Sequence, residues 1–298
     1  MNPRAVKLGA RLTLVLVAGA CAGQRTAPRV EPPPPPPAPP SVTTPAEHPT
    51  LFSTLWQQTS AEYRATALQA YAAARAVLPH ALADSAWTAA VEQEGAPFSE
   101  LPPAVVLDVD ETVLDNSPQQ ARVILEGRSF DPEEWGAWVN EAQAPPVPGA
   151  VEFLAFADSL GVEVFYVTNR DQPLEAATRR NLEAVGLPVD PSLDTVLSRG
   201  EREGWTSDKT SRRESIAERY RIVLVVGDDF NDFVAARLPR AERDRLVERY
   251  RDRWGDRWIM LPNPTYGSWE GALYGEDGNL TAEERARLRL EALDDMRP

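Results

Sequence analysis

Ala104-Val-Val-Leu-Asp108-Val-Asp110-Glu-Thr112 decides the fold. Its apolar start is too short for a helix and half β-branched, so it reads as a strand, and it runs directly into acidic residues. Two later runs share that layout. Val162-Glu-Val-Phe-Tyr-Val-Thr168 leads into Asn169-Arg170, and Ile222-Val-Leu-Val-Val-Gly227 leads into Asp228-Asp229-Phe-Asn-Asp232. Helical stretches at Ala150–Leu160, Leu174–Val185 and Ser211–Tyr220 separate the runs, and Trp258–Leu261 supplies another strand. Nearly continuous apolar strands alternating with helices predict an α/β fold, a parallel sheet flanked by helices on both faces.

Open sheets of this kind bind ligands beyond the carboxyl ends of their strands. Here those ends carry Asp108, Asp110, Asp228 and Asp232, with Thr168 and Asn169 beside them. Carboxylates brought that close do not all stay ionised without a cation. Oxygen-only ligands point to a hard divalent ion, and Mg²⁺ suits them. A calcium loop starting at Asp108 would need glycine at its sixth position and glutamate at its twelfth, where Val113 and Gln119 stand.

Composition narrows the function. The 298 residues include 45 acidic and 31 basic side chains, a formal charge of −14, which repels a nucleic-acid polymer but leaves small phosphorylated substrates open. Only two histidines occur, His48 and His80, both before the predicted sheet, so histidine-centred catalysis and His-rich zinc sites are excluded. The single cysteine, Cys21, excludes an intrachain disulfide.

Arg4, Lys7 and Arg11, followed by the apolar run Leu12–Ala20, have the layout of an export signal over residues 1–20. Ten of the 28 prolines fall between Pro28 and Pro45, so residues 21–49 read as an extended tether. From Leu51 to about Val91 the spacing of Trp56, Tyr63, Ala67, Tyr71 and Leu78 predicts helices whose aromatics face the main body, with Pro79 dividing them. The expected organisation is a helical subdomain over 50–100, the sheet domain over 101–275 with a small cap inserted around 113–146, and a C-terminal helix, Ala282–Asp294, within 276–298.

The motifs, in their order, resemble the haloacid dehalogenase (HAD)-like phosphohydrolases, and more closely the class C acid phosphatases, lipoprotein 5′-nucleotidases of the bacterial envelope. The resemblance runs from about Trp56 to Leu273. It includes Asp108-Val-Asp-Glu-Thr-Val-Leu-Asp-Asn-Ser117, Phe165-Tyr-Val-Thr-Asn-Arg170, Lys209-Thr-Ser-Arg212, Gly227-Asp-Asp-Phe-Asn-Asp-Phe233 and Ile259-Met-Leu-Pro-Asn-Pro-Thr-Tyr266. It implies Asp108 as nucleophile, Asp110 as general acid and base, and Thr168, Asn169 and Lys209 as phosphate ligands. Mg²⁺ would be held by Asp108, the Asp110 carbonyl and Asp228, with Asp232 nearby to orient water or Lys209. By the same resemblance Trp135 and Tyr266 clamp an aromatic ring, making nicotinamide mononucleotide or a nucleoside 5′-monophosphate the expected substrate. Asp108 is expected to be ionised and Asp110 to carry the proton, since one carboxyl of a close pair is raised. Asp229 stands where relatives often have asparagine, which would add charge beside the metal.

Val17-Ala18-Gly19-Ala20 before Cys21 resembles a lipobox, which implies lipidation of Cys21 and anchoring at the cell envelope, on the outer membrane. A homodimer stays open. The rival readings are a phosphomonoesterase without a nucleotide preference and a ligand-binding surface lipoprotein, for haem as an example, on the same fold.

Overall fold

The computed structural model describes residues 44–275 and 278–296; the expected signal segment, Cys21 and the expected tether as far as residue 43 lie outside the described residues. Five strands, β1 (Pro103–Leu107), β2 (Glu163–Asp171), β3 (Val196–Arg199), β4 (Arg221–Gly227) and β5 (Trp258–Met260), form one sheet in the order β3-β2-β1-β4-β5. Every pairing is parallel. Side chains alternate between the faces, so Val105 and Leu107 of β1 enter one core with Tyr166 and Val226. Ala104 and Val106 enter the other with Phe165 and Val225. With both faces covered, the inner strands have no place for alternating polar residues. β3 was not legible as a strand: it is four residues long, ends in Ser198-Arg199 and pairs only with β2.

The N-terminal helices are α1 (Leu51–Thr59) and α2 (Ala61–Ala83). The division falls at Ser60, not at Pro79. Ser60 is extended and its side chain accepts the Tyr63 N–H, an N-cap that starts a new helix. Pro79 removes one donor, while Leu78 and Ala81 on either side are fully buried and keep α2 continuous. The helix also stops short of Val91, because Asp84 turns the chain by accepting the Ala86 N–H at 2.9 Å.

Between β1 and α5 (Ala150–Ser159) an excursion carries α3 (Ser117–Leu125) and α4 (Pro132–Glu141). It leaves and returns at one point: Asp115 N–H donates to the Pro145 carbonyl at 2.8 Å and Val147 N–H to the Val113 carbonyl at 3.0 Å. Tyr71 of α2 packs on Phe153 of α5, ring centroids 5.7 Å apart. At Gly149 φ is +93° and a Cβ would stand 3.1 Å from Tyr71 Cβ, so only glycine allows the approach. The Tyr71 hydroxyl then donates to the Thr112 carbonyl at 2.6 Å, tying the N-terminal helices to the loop that follows β1.

The remaining helices are α6 (Glu175–Ala184), α7 (Thr210–Ala217), α8 (Arg240–Arg249), α9 (Ser268–Leu273) and α10 (Ala282–Glu291). α8 buries no residue and has no apolar stripe to betray it. Among the described residues no helix is long and apolar enough to cross a membrane.

Candidate active site

β1 lies between β2 and β4, so the three polar strand ends are neighbours at the point where the connections reverse direction. Leu107 pairs with Tyr166 and Val226, and the next residue, Asp108, donates its N–H to the Val226 carbonyl at 3.0 Å. Lys209, at the start of α7, is 4% exposed. Its Nζ donates to Asp108 Oδ1 and, at 2.7 Å, to Asp232 Oδ1. Asp232 Oδ2 accepts the Asp229 N–H at 2.9 Å. A Cβ at Gly227 would run into this carboxylate, which is why the strand ends in glycine. Asp228 accepts from Thr112 Oγ1 at 3.0 Å and from Asn263 Nδ2 at 2.8 Å.

One oxygen each from Asp108, Asp228 and Asp232 lies within 4.8 Å of the others. Lys209 answers Asp108 and Asp232, whereas no lysine or arginine among the described residues pairs with Asp228. Burial pushes the Asp108 carboxyl up to about 7; Lys209 pulls against that, and the charges of Asp232 and Asp110 add to it. Burial lifts Asp228 well above the ordinary carboxylate range, with Asp108 reinforcing it, and also raises Asp232. Burial works against the Lys209 ammonium too, but the charges of Asp108 and Asp232 outweigh it and hold its pKa above the ordinary value. Three crowded hard-oxygen donors with one ammonium between them fit a divalent cation such as Mg²⁺.

A pH-dependent response follows. With its pKa near 7 in the folded chain against 3.8 otherwise, Asp108 binds more proton folded than unfolded between those values. Its contribution to stability is therefore lost as pH rises through about 7, where a metal has least competition from protons. Saturating Mg²⁺ should raise Tm by several degrees at pH 7.5 and by little at pH 5, read by scanning calorimetry. Equal shifts at the two pH values would contradict the site.

Of the two carboxyls that follow β1, Asp108 is the more buried and lies in the crowded cluster. Asp110 Oδ1 instead forms an ion pair with Arg170, accepting from Nε at 2.9 Å and Nη2 at 2.8 Å, and also accepts from Asn116 Nδ2 at 2.9 Å. Arg170 is 2% exposed and reaches on to Thr178. Asn116 Oδ1 accepts from Trp138 Nε1 at 2.8 Å, which makes Trp138 part of the frame. The tight loop is completed by Glu111, at φ +60°, whose Oε1 accepts the Asn116 N–H at 2.7 Å. Arg170 and Asn116 both stood inside quoted motifs, and nothing in their spacing announced that they converge on Asp110.

Thr168 is fully buried, and its Oγ1 accepts the Arg170 N–H at 3.1 Å, leaving the hydroxyl proton to donate elsewhere. Asn169, expected at the phosphate, has its side chain engaged otherwise: Nδ2 donates to the Ser207 carbonyl at 3.1 Å and Oδ1 accepts from Arg212 Nη2 at 2.7 Å. Arg212 also donates to the Thr168 and Thr206 carbonyls and so joins the end of β2 to the loop before Lys209. Asp229 is not a member of the carboxylate cluster. Its oxygens accept from Ser268 Oγ at 2.6 Å, from the Ser268 N–H and from the Asn231 N–H at 2.8 Å, although its charge helps to raise Asp232.

Trp135 and Tyr266 belong to opposite flanks. The Arg170 guanidinium lies 5.6 Å from the half-buried Trp135 ring. Tyr266, 41% exposed, donates its N–H at 3.4 Å to Asn263, the residue that holds Asp228. Each aromatic is thus one residue removed from a different carboxylate of the site.

A model of the HAD superfamily, subfamily IIIB (acid phosphatase), matches residues 39–269. Two solved structures of the class C acid phosphatase from Bacillus anthracis, one with tungstate bound, resemble the chain with a TM-score of 0.72. They are 34% and 35% identical to it, over 83% of this chain and 97% of theirs. Acid phosphatase 1 of Solanum lycopersicum is 28% identical over 162 residues, 54% of this chain and 57% of that protein. A class B acid phosphatase of Morganella morganii is 28% identical over 156 residues, 49% of this chain and 64% of that protein. The chain therefore spans less than two thirds of these two curated relatives.

Proposed function

Because the chain belongs to subfamily IIIB of the HAD superfamily, the acid phosphatases, we propose that it hydrolyses phosphate monoesters at Asp108 with the help of Mg²⁺. The observation that carries this reading is the Lys209 ammonium fixed between Asp108 and Asp232, next to an Asp228 that pairs with no lysine or arginine among the described residues. Asp108, Asp228 and the Asp110 carbonyl would hold the metal, with Asp232 at its edge. Bound there, Mg²⁺ would offset the negative charge that a phosphate group brings beside the carboxylates.

The rest is the work of the chain. A carboxylate oxygen of Asp108 bonds to phosphorus as the ester P–O bond breaks. Asp110 gives a proton to the leaving oxygen; Arg170 and Asn116 hold its Oδ1, so Oδ2 carries that proton. Lys209 and the Thr168 hydroxyl face the phosphoryl oxygens and stabilise the charge spread over them. In the second half Asp110 takes a proton from water, the water oxygen bonds to phosphorus, and the Asp108–phosphoryl bond breaks to release phosphate. Both carboxyls then return to their starting states.

Trp135 and Tyr266, on the two flanks, support a preference for substrates with a flat ring, nucleoside 5′-monophosphates or nicotinamide mononucleotide. Stacking is worth roughly 1–3 kcal/mol per base. Trp135→Ala should raise KM for a 5′-nucleotide about tenfold and leave KM for a small alkyl phosphate within about twofold. Equal changes would favour the broad phosphomonoesterase. A haem-binding role lacks support: His48 has Nε2 on the Arg128 carbonyl at 2.8 Å and Nδ1 on Thr50, and His80 is exposed. The lipobox-like residues before Cys21 support a lipid-anchored protein of the bacterial envelope, on the outer membrane, that salvages phosphate or nucleosides. The direct test is phosphate release from a 5′-nucleotide by the full chain at pH 5–7. Turnover that needs Mg²⁺ and stops with chelator is expected; none under either condition would reject the reading.

A further inference from the structure

α7 carries three cations within its first turns, and each is assigned to a different strand end. Lys209 faces the carboxylates, Arg212 holds the end of β2, and Arg213 turns the other way, toward the loop after β4. Arg213 is 1% exposed. Its Nη1 donates to the Asp232 carbonyl at 3.0 Å and to the Asn231 carbonyl at 3.3 Å. Its Nε donates to Glu92 Oε1 at 2.9 Å. Glu92 lies in the 3-10 turn Val91–Gln93, ahead of β1, and its side chain is 6% exposed.

The next residue grips the C-terminal end of the same helix. Gln93 Nε2 donates to the Ala217 and Tyr220 carbonyls at 3.0 and 2.8 Å, and its Oε1 accepts the Ile222 N–H at 3.1 Å. Two adjacent side chains of the N-terminal segment therefore hold α7, one at its middle and one at its C-terminal end.

Asp232 is in this way held twice from one helix, its carboxylate by Lys209 and its carbonyl by Arg213, one turn further along. We infer that Arg213, backed by Glu92, is a positioning residue that sets the Asn231–Asp232 turn and, through Asp232, aims the Lys209 ammonium at the tetrahedral oxyanion the site receives. A guanidinium suits the task because its rigid fork presents donors on separate nitrogens, Nη1 toward two carbonyls and Nε toward a carboxylate, whereas an ammonium has all its donors on one nitrogen. The inference rests on the phosphatase reading only for the identity of that oxyanion.

Removing Arg213 alone would strand a buried carboxylate at Glu92, so the informative variant neutralises both, Glu92→Gln with Arg213→Met. In the full chain, under conditions where calorimetry shows the variant folded, tungstate binding should weaken about tenfold and kcat should fall about tenfold. A role confined to stability would lower Tm and leave both values per folded molecule unchanged, and that result would overturn the inference. Should the double variant fail to fold, Glu92→Gln alone carries the test. It keeps an acceptor for Arg213 and deletes the charge, and a loss of about threefold in tungstate affinity is expected, with no change refuting the idea. Tungstate binding also separates the two readings. A wild-type chain that binds tungstate but releases no phosphate would reject the phosphatase reading and leave this one standing. Turnover that survives undiminished in the folded double variant would reject this one alone.

Discussion

Asp108→Asn should lower phosphate release by more than about 10³-fold while leaving the protein folded, because it removes the attacking oxygen and little else. The amide is nearly isosteric, Asp232 still accepts from Lys209, and the Asp108 N–H keeps its bond to the Val226 carbonyl. Stability supplies an independent check. Burial already pushes the Asp108 carboxyl up to about 7, so the folded chain favours an uncharged group at this position. In chelator at pH 7.5 the variant should therefore melt no lower than the wild type, and the gain in Tm on adding Mg²⁺ should shrink with one donor of the cluster gone. An inactive variant with an unchanged Mg²⁺ response would place the metal elsewhere. An active one would move the nucleophile from Asp108.

How much of this was legible in advance depends on whether the information is local. Strands β1, β2 and β4 announce themselves because both faces of the sheet are covered, which forces continuous apolar runs such as Ile222–Val226. The polar residues that follow them were readable for the same reason, as each begins where the apolar run stops. β3, at the edge and half polar, offered no such contrast. Lys209 was placed by resemblance only, since a lysine at a helix start looks like any solvated lysine until Asp108 and Asp232 are folded around it. Pro79 misled because a strong local signal was outvoted by the burial of Leu78 and Ala81. Arg212, Arg213 and Arg170 were visible letters with invisible targets. Their acceptors include backbone carbonyls and two carboxylates far along the chain, Asp110 and Glu92, and no periodicity encodes such a pairing.

Arg170 is the residue for which that blindness costs most, and its replacement should have the second largest effect. Arg170→Met should reduce kcat about 10²-fold with a smaller change in KM for a simple phosphate ester. Two of the three hydrogen bonds that hold Asp110 Oδ1 come from this guanidinium, through Nε and Nη2; the third comes from Asn116, which Trp138 steadies in turn. Without Arg170 the carboxyl that must deliver a proton to the leaving oxygen, and later take one from water, is free to swing about a single contact. Arg170→Lys should recover little of the loss, since an ammonium restores the charge but cannot present two parallel donors to one oxygen. That failure separates orientation from electrostatics, as a purely electrostatic role would let lysine restore most of the rate. The Trp135 ring rests against the same guanidinium, so the methionine variant should also raise KM for a nucleotide more than for an alkyl phosphate. Measured kcat and KM for the two substrates in the wild type and both variants would decide among these outcomes. A full rate in Arg170→Met would show that Asn116 alone suffices to aim Asp110.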